Sequence, residues 1–427
     1  MNTQAEQLRI PDNLLVKEKG EKYLVFNPNK PSWMVTNAVG VNILKLCNGE
    51  RNCQQISELL PQVASMNEAE IEDFLRIAAE KQIFVSKRSV YSPPLFPLRS
   101  VYFNITEACN LRCTYCYAEE REKTEKRLSL DDYRNIIQEI KLLSEQPSIV
   151  FTGGEPLTSP LLMGVAQYAK EMGMRTLLLS NGTLISKDNV EKIHLLFDGV
   201  KISLDGSCPD VNDRTRGAGV YDRVMESLQL LDEVGQNYIL STTVTRKNIH
   251  DIGAMQAKFG GKLGFAPYFH RSADELNSDL AITGAEYYRA LTEVMGVNPY
   301  RKIETVVWAN MSNHVIQKCA IADGSISIAA NGDVFPCQLL HFEEFKAGNL
   351  FESSLKSIYT KSPALLRLRE LTVDKIDGCA ECPISLVCGG GCFARNYYET
   401  GKIDKVGEFC EYEQLGILDA LIDQYEL

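Results

Sequence analysis

Three cysteines fall within eight residues, at Cys109, Cys113 and Cys116, in the order Cys-x3-Cys-x2-Cys. Thiolates packed this closely can bind three irons of a four-iron cube and leave the fourth open. An open metal position separates a reactive site from a structural one. A zinc ion bound by this segment alone would lack a fourth ligand, and no histidine is near in sequence. Seven further cysteines lie toward the C-terminus: Cys319, Cys337, then Cys379-x2-Cys382-x5-Cys388-x3-Cys392, and Cys410. On spacing alone, Cys379, Cys382, Cys388 and Cys392 also suit a zinc ribbon. Grouped cysteines in a reducing compartment read as metal or cluster ligands rather than disulfides. Cys47, Cys53 and Cys208 stand apart and are expected to be small buried hydrophobes.

Gly153-Gly154-Glu155-Pro156 directly follows the apolar run Ile149–Phe151. Glycines let a backbone approach a ligand closely, and Glu155 could accept a hydrogen bond from an ammonium group. Ser180-Asn181-Gly182 and Ser203-Leu204-Asp205-Gly206 follow two more apolar runs, and Arg216 could meet a carboxylate. Read alone, each of these is ordinary turn chemistry or helix capping. The histidines at 194, 250, 270, 314 and 341 are dispersed, with none at metal-binding spacing. His270 reads as structural, and no residue is nominated as a catalytic base.

These residues need elements to hold them. Strand candidates at 100–106, 148–152, 175–180, 199–204, 238–245 and 263–269 are separated by helical segments. That alternation predicts a parallel sheet covered by helices. Six units predict an α/β fold with a partial (β/α)6 barrel, whose ligands sit beyond the C-terminal strand ends. Each motif of this region directly follows a strand candidate. In front, Lys22–Phe26 and Trp33–Thr36 are short strand candidates, followed by three helices, the clearest at 68–82. This is a small α+β, winged-helix-like module. Tyr91–Pro97 is proline-rich and suited to a linker. From about 315 onward the chain reads as loop-rich, burying little apolar surface and needing inorganic staples. The expected division is 1–90, linker 91–98, 99–310 and 311–427.

With 427 residues, 44% hydrophobic and 24% charged, the chain suits two or three globular domains. The net charge of −11 argues against a nucleic-acid surface. The start lacks a secretory signal, and no run of eighteen apolar residues offers a membrane span. A cytoplasmic protein without a membrane partner is expected.

Cys109, Cys113 and Cys116, with Tyr115 before the last cysteine and a position after the first strand of the series, resemble the signature of the radical S-adenosylmethionine (SAM) superfamily. The resemblance implies a [4Fe-4S] radical cluster whose open iron chelates SAM. One-electron cleavage then yields a 5′-deoxyadenosyl radical that takes hydrogen from substrate. Gly153, Gly154, Glu155 and Pro156 match the family's motif for the SAM amino group. Ser180, Ser203 and Asp205 match positions near its ribose and carboxylate, and Arg216 could contact that carboxylate.

The order of the seven later cysteines resembles the SPASM extension of radical enzymes that modify peptides and proteins, which carries two auxiliary iron–sulfur clusters, taken here as [4Fe-4S]. By position, Cys379, Cys382, Cys388 and Cys410 make a complete set. Cys319, Cys337 and Cys392 hold the other cluster with one ligand unassigned, since Ser325 falls near where some relatives have a further cysteine. The first module resembles the PqqD-like peptide-recognition element, which implies a leader peptide added to its sheet edge. The resemblances imply oxidative modification of a ribosomally made precursor peptide, as a thioether or carbon–carbon crosslink, with a flavodoxin or ferredoxin as electron donor. Alternatives are a non-peptide substrate such as a tetrapyrrole side chain, and sulfatase-type formylglycine maturation. Gln338 after Cys337, where those maturases carry aspartate, counts against the last. A non-catalytic cluster scaffold is disfavoured by the intact triplet and the Gly153–Pro156 motif.

Overall fold

A computed structural model of the chain describes residues 8–59, 68–87, 98–116, 126–269, 279–294 and 316–423. His270, His314, the Cys53 side chain and all but Leu98 of the expected linker lie outside the described residues.

The first strands are β1 (Leu15–Lys19), β2 (Lys22–Asn27) and β3 (Ser32–Thr36), an antiparallel sheet in that order. Helices α1 (Ala38–Leu46), α2 (Cys53–Leu59) and α3 (Glu68–Glu80) follow. Asn37 caps α1 by accepting from the Gly40 amide at 3.0 Å. Strand β1 is absent from the sequence expectation. Its residues Leu-Val-Lys-Glu-Lys are half-buried to exposed, so no apolar alternation marks them.

The side chains of β2 alternate between two partners. Val25, with Met34, Val41, Leu44, Ala78 and Ile83, packs toward α1 and α3. Leu24 and Phe26, with Trp33, pack instead against Ile384, Val387, Ile417, Leu418, Leu421 and Ile422 of the C-terminal region. Each fully buried large apolar side chain contributes about 1.5–3 kcal/mol. This shared core fixes the small module to the far end of the chain. Lys17 adds an ion pair to Asp419 at 2.8 Å.

The main sheet contains β4 (Ser100–Asn104), β5 (Ser148–Thr152), β6 (Arg175–Ser180), β7 (Gly199–Ser203), β8 (Tyr238–Val244) and β9 (Leu263–Pro267), all parallel and paired in sequence order. The crossovers are α4 (Leu130–Leu143), α5 (Leu162–Glu171), α6 (Val190–Leu196), the pair α7 (Pro209–Arg216) and α8 (Val220–Glu233), and α9 (Ile252–Phe259). A further helix, α10 (Gly284–Arg289), follows β9. All six strand expectations hold to within two residues at each end. Val101, Phe103, Ile149, Phe151, Leu178, Val200 and Ile202 face the helices and pack on Ile137, Val165, Ile193 and Val224. Alternate residues such as Asn104, Thr152 and Ser203 therefore fall on the inner face.

Two corrections concern the C-terminal third. First, β10 (Ser325–Ala329) pairs in parallel with β4, and β11 (Asp333–Phe335) and β12 (Gly348–Asn349) add antiparallel strands beyond it. The sheet thus has nine strands in the order β12-β11-β10-β4-β5-β6-β7-β8-β9. Ser325 is the first residue of β10, opposite Ser100. Second, this region builds its own apolar core from Ile321, Leu340, Phe345, Leu365, Leu368, Val373, Ile376 and Phe393. Helices Pro363–Arg369 and Phe393–Thr400 carry part of it, Leu355–Lys361 packs Tyr359 against it, and the last helix, Phe409–Asp423, packs on the N-terminal sheet instead. Its apolar residues are scattered among turns rather than periodic, so the composition understated the burial. No helix among the described residues is long and apolar enough to cross a membrane.

Candidate active site

At the C-terminal end of β4 the chain turns into the loop that carries Cys109, Cys113 and Cys116. This loop is laced to the one that follows β5. The Gly154 and Glu155 amides donate to the Thr106 and Ala108 carbonyls, each at 2.8 Å. The two loops run so close that a methyl group on Gly153 would sit 2.2 Å from the Thr106 carbonyl oxygen. One on Gly154 would sit 2.3 Å from that of Ala108. Gly153 also has φ +139. The glycines therefore serve the approach of one chain segment to another, a tighter constraint than the approach to a ligand inferred from sequence.

Glu155 links this loop to the end of β6. Its carboxylate is fully buried and turned into the protein. It accepts from Ser180 Oγ at 2.8 Å, the Leu157 amide at 3.1 Å and the Asn181 amide at 2.7 Å. Ser180 and Glu155 thus hold each other, with no oxygen of Glu155 left facing outward. Burial still raises the Glu155 carboxyl above its ordinary range, against the pull of these three donors. Asn181, within the quoted Ser180-Asn-Gly182 run but not nominated, reaches the thiol loop. Its Nδ2 lies 2.9 Å from Asn110 Oδ1 and 3.9 Å from Cys109 Sγ.

Asp205, just beyond β7, is a hub. It forms a buried ion pair with Arg216, Nε to Oδ2 at 2.8 Å. Its Oδ2 accepts from the Tyr115 hydroxyl and its Oδ1 from the Thr243 amide at 3.0 Å. The Thr114 amide donates to the Thr215 carbonyl at 2.9 Å, tying the thiol loop to α7. Arg216 and Asp205 thus face each other across the loop. Burial pushes the Cys113 thiol up to about 11, while Arg216 pulls it back. The charges of Cys109 and Cys116 both act on Cys113, so the three sulfurs share one neighbourhood. Ser203 closes β7, half-buried on the inner face, and Pro156 is buried at the first position of a short helical turn.

The other seven cysteines form two neighbourhoods. Cys379, Cys382, Cys388 and Cys410 line one pocket together with Glu413. Cys319, Cys337 and Cys392 act on one another. Burial first, then neighbouring thiols, pushes Cys319 up to about 11 and Cys337 up to about 12. Backbone amides of Ala320, Ile321 and Phe393 point at Cys319, those of Gln338 and Leu339 at Cys337, and those of Ala394 and Arg395 at Cys392. Among the described residues no group of three or more His, Cys, Asp or Glu is drawn together so as to hold a metal ion. The fit to an iron–sulfur group rests on donor chemistry: clustered thiols, mostly half-buried, with amide N–H groups directed at the sulfurs that would carry negative charge.

Cys47 is buried as expected, whereas Cys208 is half-exposed at the start of α7. His194 pairs with Gln236 at 3.2 Å. His341, dismissed with the other histidines, stacks on Phe335 and lies 2.8 Å from Ser327 Oγ, beside Asn104 at the end of β4.

Residues 103–257 match the model of the Radical SAM superfamily, and residues 319–383 match SPASM, an iron-sulfur cluster-binding domain. A curated relative named AdoMet-dependent heme synthase, from Methanosarcina barkeri, is 25% identical over 343 residues, covering 74% of this chain and 96% of its own. The structure of anSMEcpe with bound AdoMet and Kp18Cys peptide aligns with TM-score 0.63 at 16% identity, covering 77% of this chain and 100% of that one. Streptococcus suis SuiB bound to precursor peptide SuiA aligns with TM-score 0.55 at 18% identity, over 93% of this chain and 98% of that one. The first domain binds SAM and a [4Fe-4S] cluster, and the second is an iron–sulfur domain.

Proposed function

We propose that this chain, a radical SAM enzyme with a SPASM domain, oxidatively crosslinks a ribosomally made precursor peptide through a thioether or carbon–carbon bond. In this reading Cys109, Cys113 and Cys116 hold the radical cluster. Cys379, Cys382, Cys388 and Cys410 hold one auxiliary cluster, and Cys319, Cys337 and Cys392 hold the other with a non-cysteine ligand. When bound there, the radical cluster and SAM would supply the 5′-deoxyadenosyl radical chemistry that takes hydrogen from a substrate. The protein's own part is to fix geometry. The main chain at Gly153–Gly154, with Tyr115, Pro156, Ser203 and Arg216 around it, frames the SAM site. Glu155, Ser180 and Asp205 brace that frame from within.

The observation that carries the peptide reading is the placement of the N-terminal sheet. One face of it is packed on the C-terminal iron–sulfur region. No strand among the described residues pairs with the outer edge of β3. A sheet edge with no strand paired to it is where a leader peptide can add as one, main-chain bonds supplying affinity. We accordingly divide the chain into a PqqD-like module at 1–90, a linker at 91–98, the barrel at 99–310 and the SPASM region at 311–427. The likeness to SuiB, bound in its structure to a precursor peptide, spans the module as well as the core and supports this reading. A flavodoxin or ferredoxin in the cytoplasm would supply electrons. The heme synthase relative favours a second reading, a tetrapyrrole substrate.

Incubating the reduced enzyme and SAM with a precursor peptide encoded beside the gene distinguishes the two. The proposal expects the peptide to lose the mass of two hydrogens. An unchanged peptide alongside a converted porphyrin would establish the second reading instead.

A further inference from the structure

Gly389, Gly390 and Gly391 join Cys388 to Cys392, and all three have left-handed φ, at +71, +83 and +67. Cys388 belongs to the four-cysteine pocket and Cys392 to the three-cysteine group. Four residues of chain span at most about 14 Å, so the two sites are close neighbours. Against this glycine run lies an ion pair. Arg395 Nη2 is 2.5 Å from Glu413 Oε1, and the two side chains are 7% and 13% exposed. A methyl group on Gly391 would meet Glu413 Oε2 at 2.7 Å and Arg395 Nη2 at 3.3 Å. Gly391 is favoured by its left-handed φ, and any side chain there would also crowd the pair.

The pair touches both sites. The Arg395 amide points at Cys392 Sγ, and the guanidinium favours charge on that sulfur. Glu413 lines the pocket of Cys379, Cys382, Cys388 and Cys410. Its carboxylate adds to burial in raising the Cys379, Cys388 and Cys410 thiols. Arg395 also lies over the Phe409 ring, 5.1 Å from its centre, and 3.5 Å from Glu399 Oε1. A carboxylate buried beside four thiols is unfavourable in itself, and a buried ion pair is a weak source of stability. Its position between two charged sites gives it a different use.

We propose that Arg395 and Glu413 form a charge bridge that sets the reduction potentials of the two auxiliary iron–sulfur sites together. The inference rests on the assignment of the seven cysteines to two clusters. Net charge and hydrogen bonds at the sulfurs govern such potentials. A cation beside a cluster raises its potential and an anion lowers it. Both are positioning residues, acting through the cysteine ligands.

The test is a redox titration of the reconstituted holoenzyme followed by electron paramagnetic resonance. Arg395→Gln lowers both auxiliary potentials and Glu413→Gln raises both, while the radical cluster stays put. Arg395→Lys, which keeps the charge, lies nearer the wild type. Should Arg395→Gln lose iron, the near-isosteric Glu413→Gln carries the test. Glu413→Gln with full iron and unmoved auxiliary potentials, or with one moved and not the other, overturns the bridge. Separately, Cys388→Ser and Cys392→Ser should each deplete one auxiliary cluster. Full iron in both would refute the cysteine assignment itself.

Discussion

Gly154 packs against the main chain of Ala108 with no room for a methyl group. Gly154→Ala must push apart the two loops that meet there, at a cost of about 1–3 kcal/mol for overpacking. The melting temperature should fall and SAM affinity should fall with it. A variant that melts with the wild type would show that the loops can separate freely. Asp205→Asn removes the countercharge from a buried guanidinium and the strong acceptor from the Tyr115 hydroxyl. Breaking such a pair from one side costs about 3–5 kcal/mol. Hydrogen exchange at the Thr114 amide should accelerate even before any cluster is loaded, because Thr114 is tied to α7 beside Arg216. Unchanged exchange at Thr114 would remove Asp205 from its bracing role.

The helix Phe393–Thr400 carries a titrating residue, Glu399, in its last turn. Burial, opposed by Arg395 and aided by Glu408, pushes the Glu399 carboxyl up to about 7. Its ordinary value in an unfolded chain is near 4.5. A carboxyl with a raised folded pKa holds its proton longer in the folded state. Its contribution to stability is therefore complete below about pH 4.5 and is lost as the pH rises through about 7. Glu399→Gln should stabilise the protein at pH 8 relative to wild type, by the order of 1 kcal/mol after solvent screening, and much less at pH 5. Equal effects at the two pH values, read from denaturant unfolding, would contradict this. At the same scale the sequence was most legible where period and burial coincide. Ile149, Phe151, Val200 and Ile202 announce strands because each faces a helix layer. Strand β1 was hidden because Lys17, Glu18 and Lys19 face solvent or the acidic end of the last helix.

Across the whole molecule, the cysteine spacing exposed the chemistry while contacts between distant segments stayed out of sight. The meeting of Leu24 and Phe26 with Leu418 and Leu421, and the pairing of β10 with β4, join residues hundreds of positions apart. No local pattern encodes either. Nor could spacing tell that Glu155 turns inward or that Asp205 and Arg216 face each other, since side-chain direction depends on what lies across the loop. What these long-range contacts achieve is a single body in which the N-terminal sheet, the barrel mouth and the seven later cysteines are held together. The sulfur trio at the barrel mouth is nonetheless separable from the rest by mutation, because its cysteines form a group apart from the seven later ones. The measurement is 5′-deoxyadenosine formed from SAM by anaerobically reconstituted, reduced enzyme, compared between wild type and Cys113→Ser. The expected result is product from the wild type and none from the variant, which keeps its auxiliary iron. Product from Cys113→Ser at the wild-type rate, or none from an iron-loaded wild type, would contradict it.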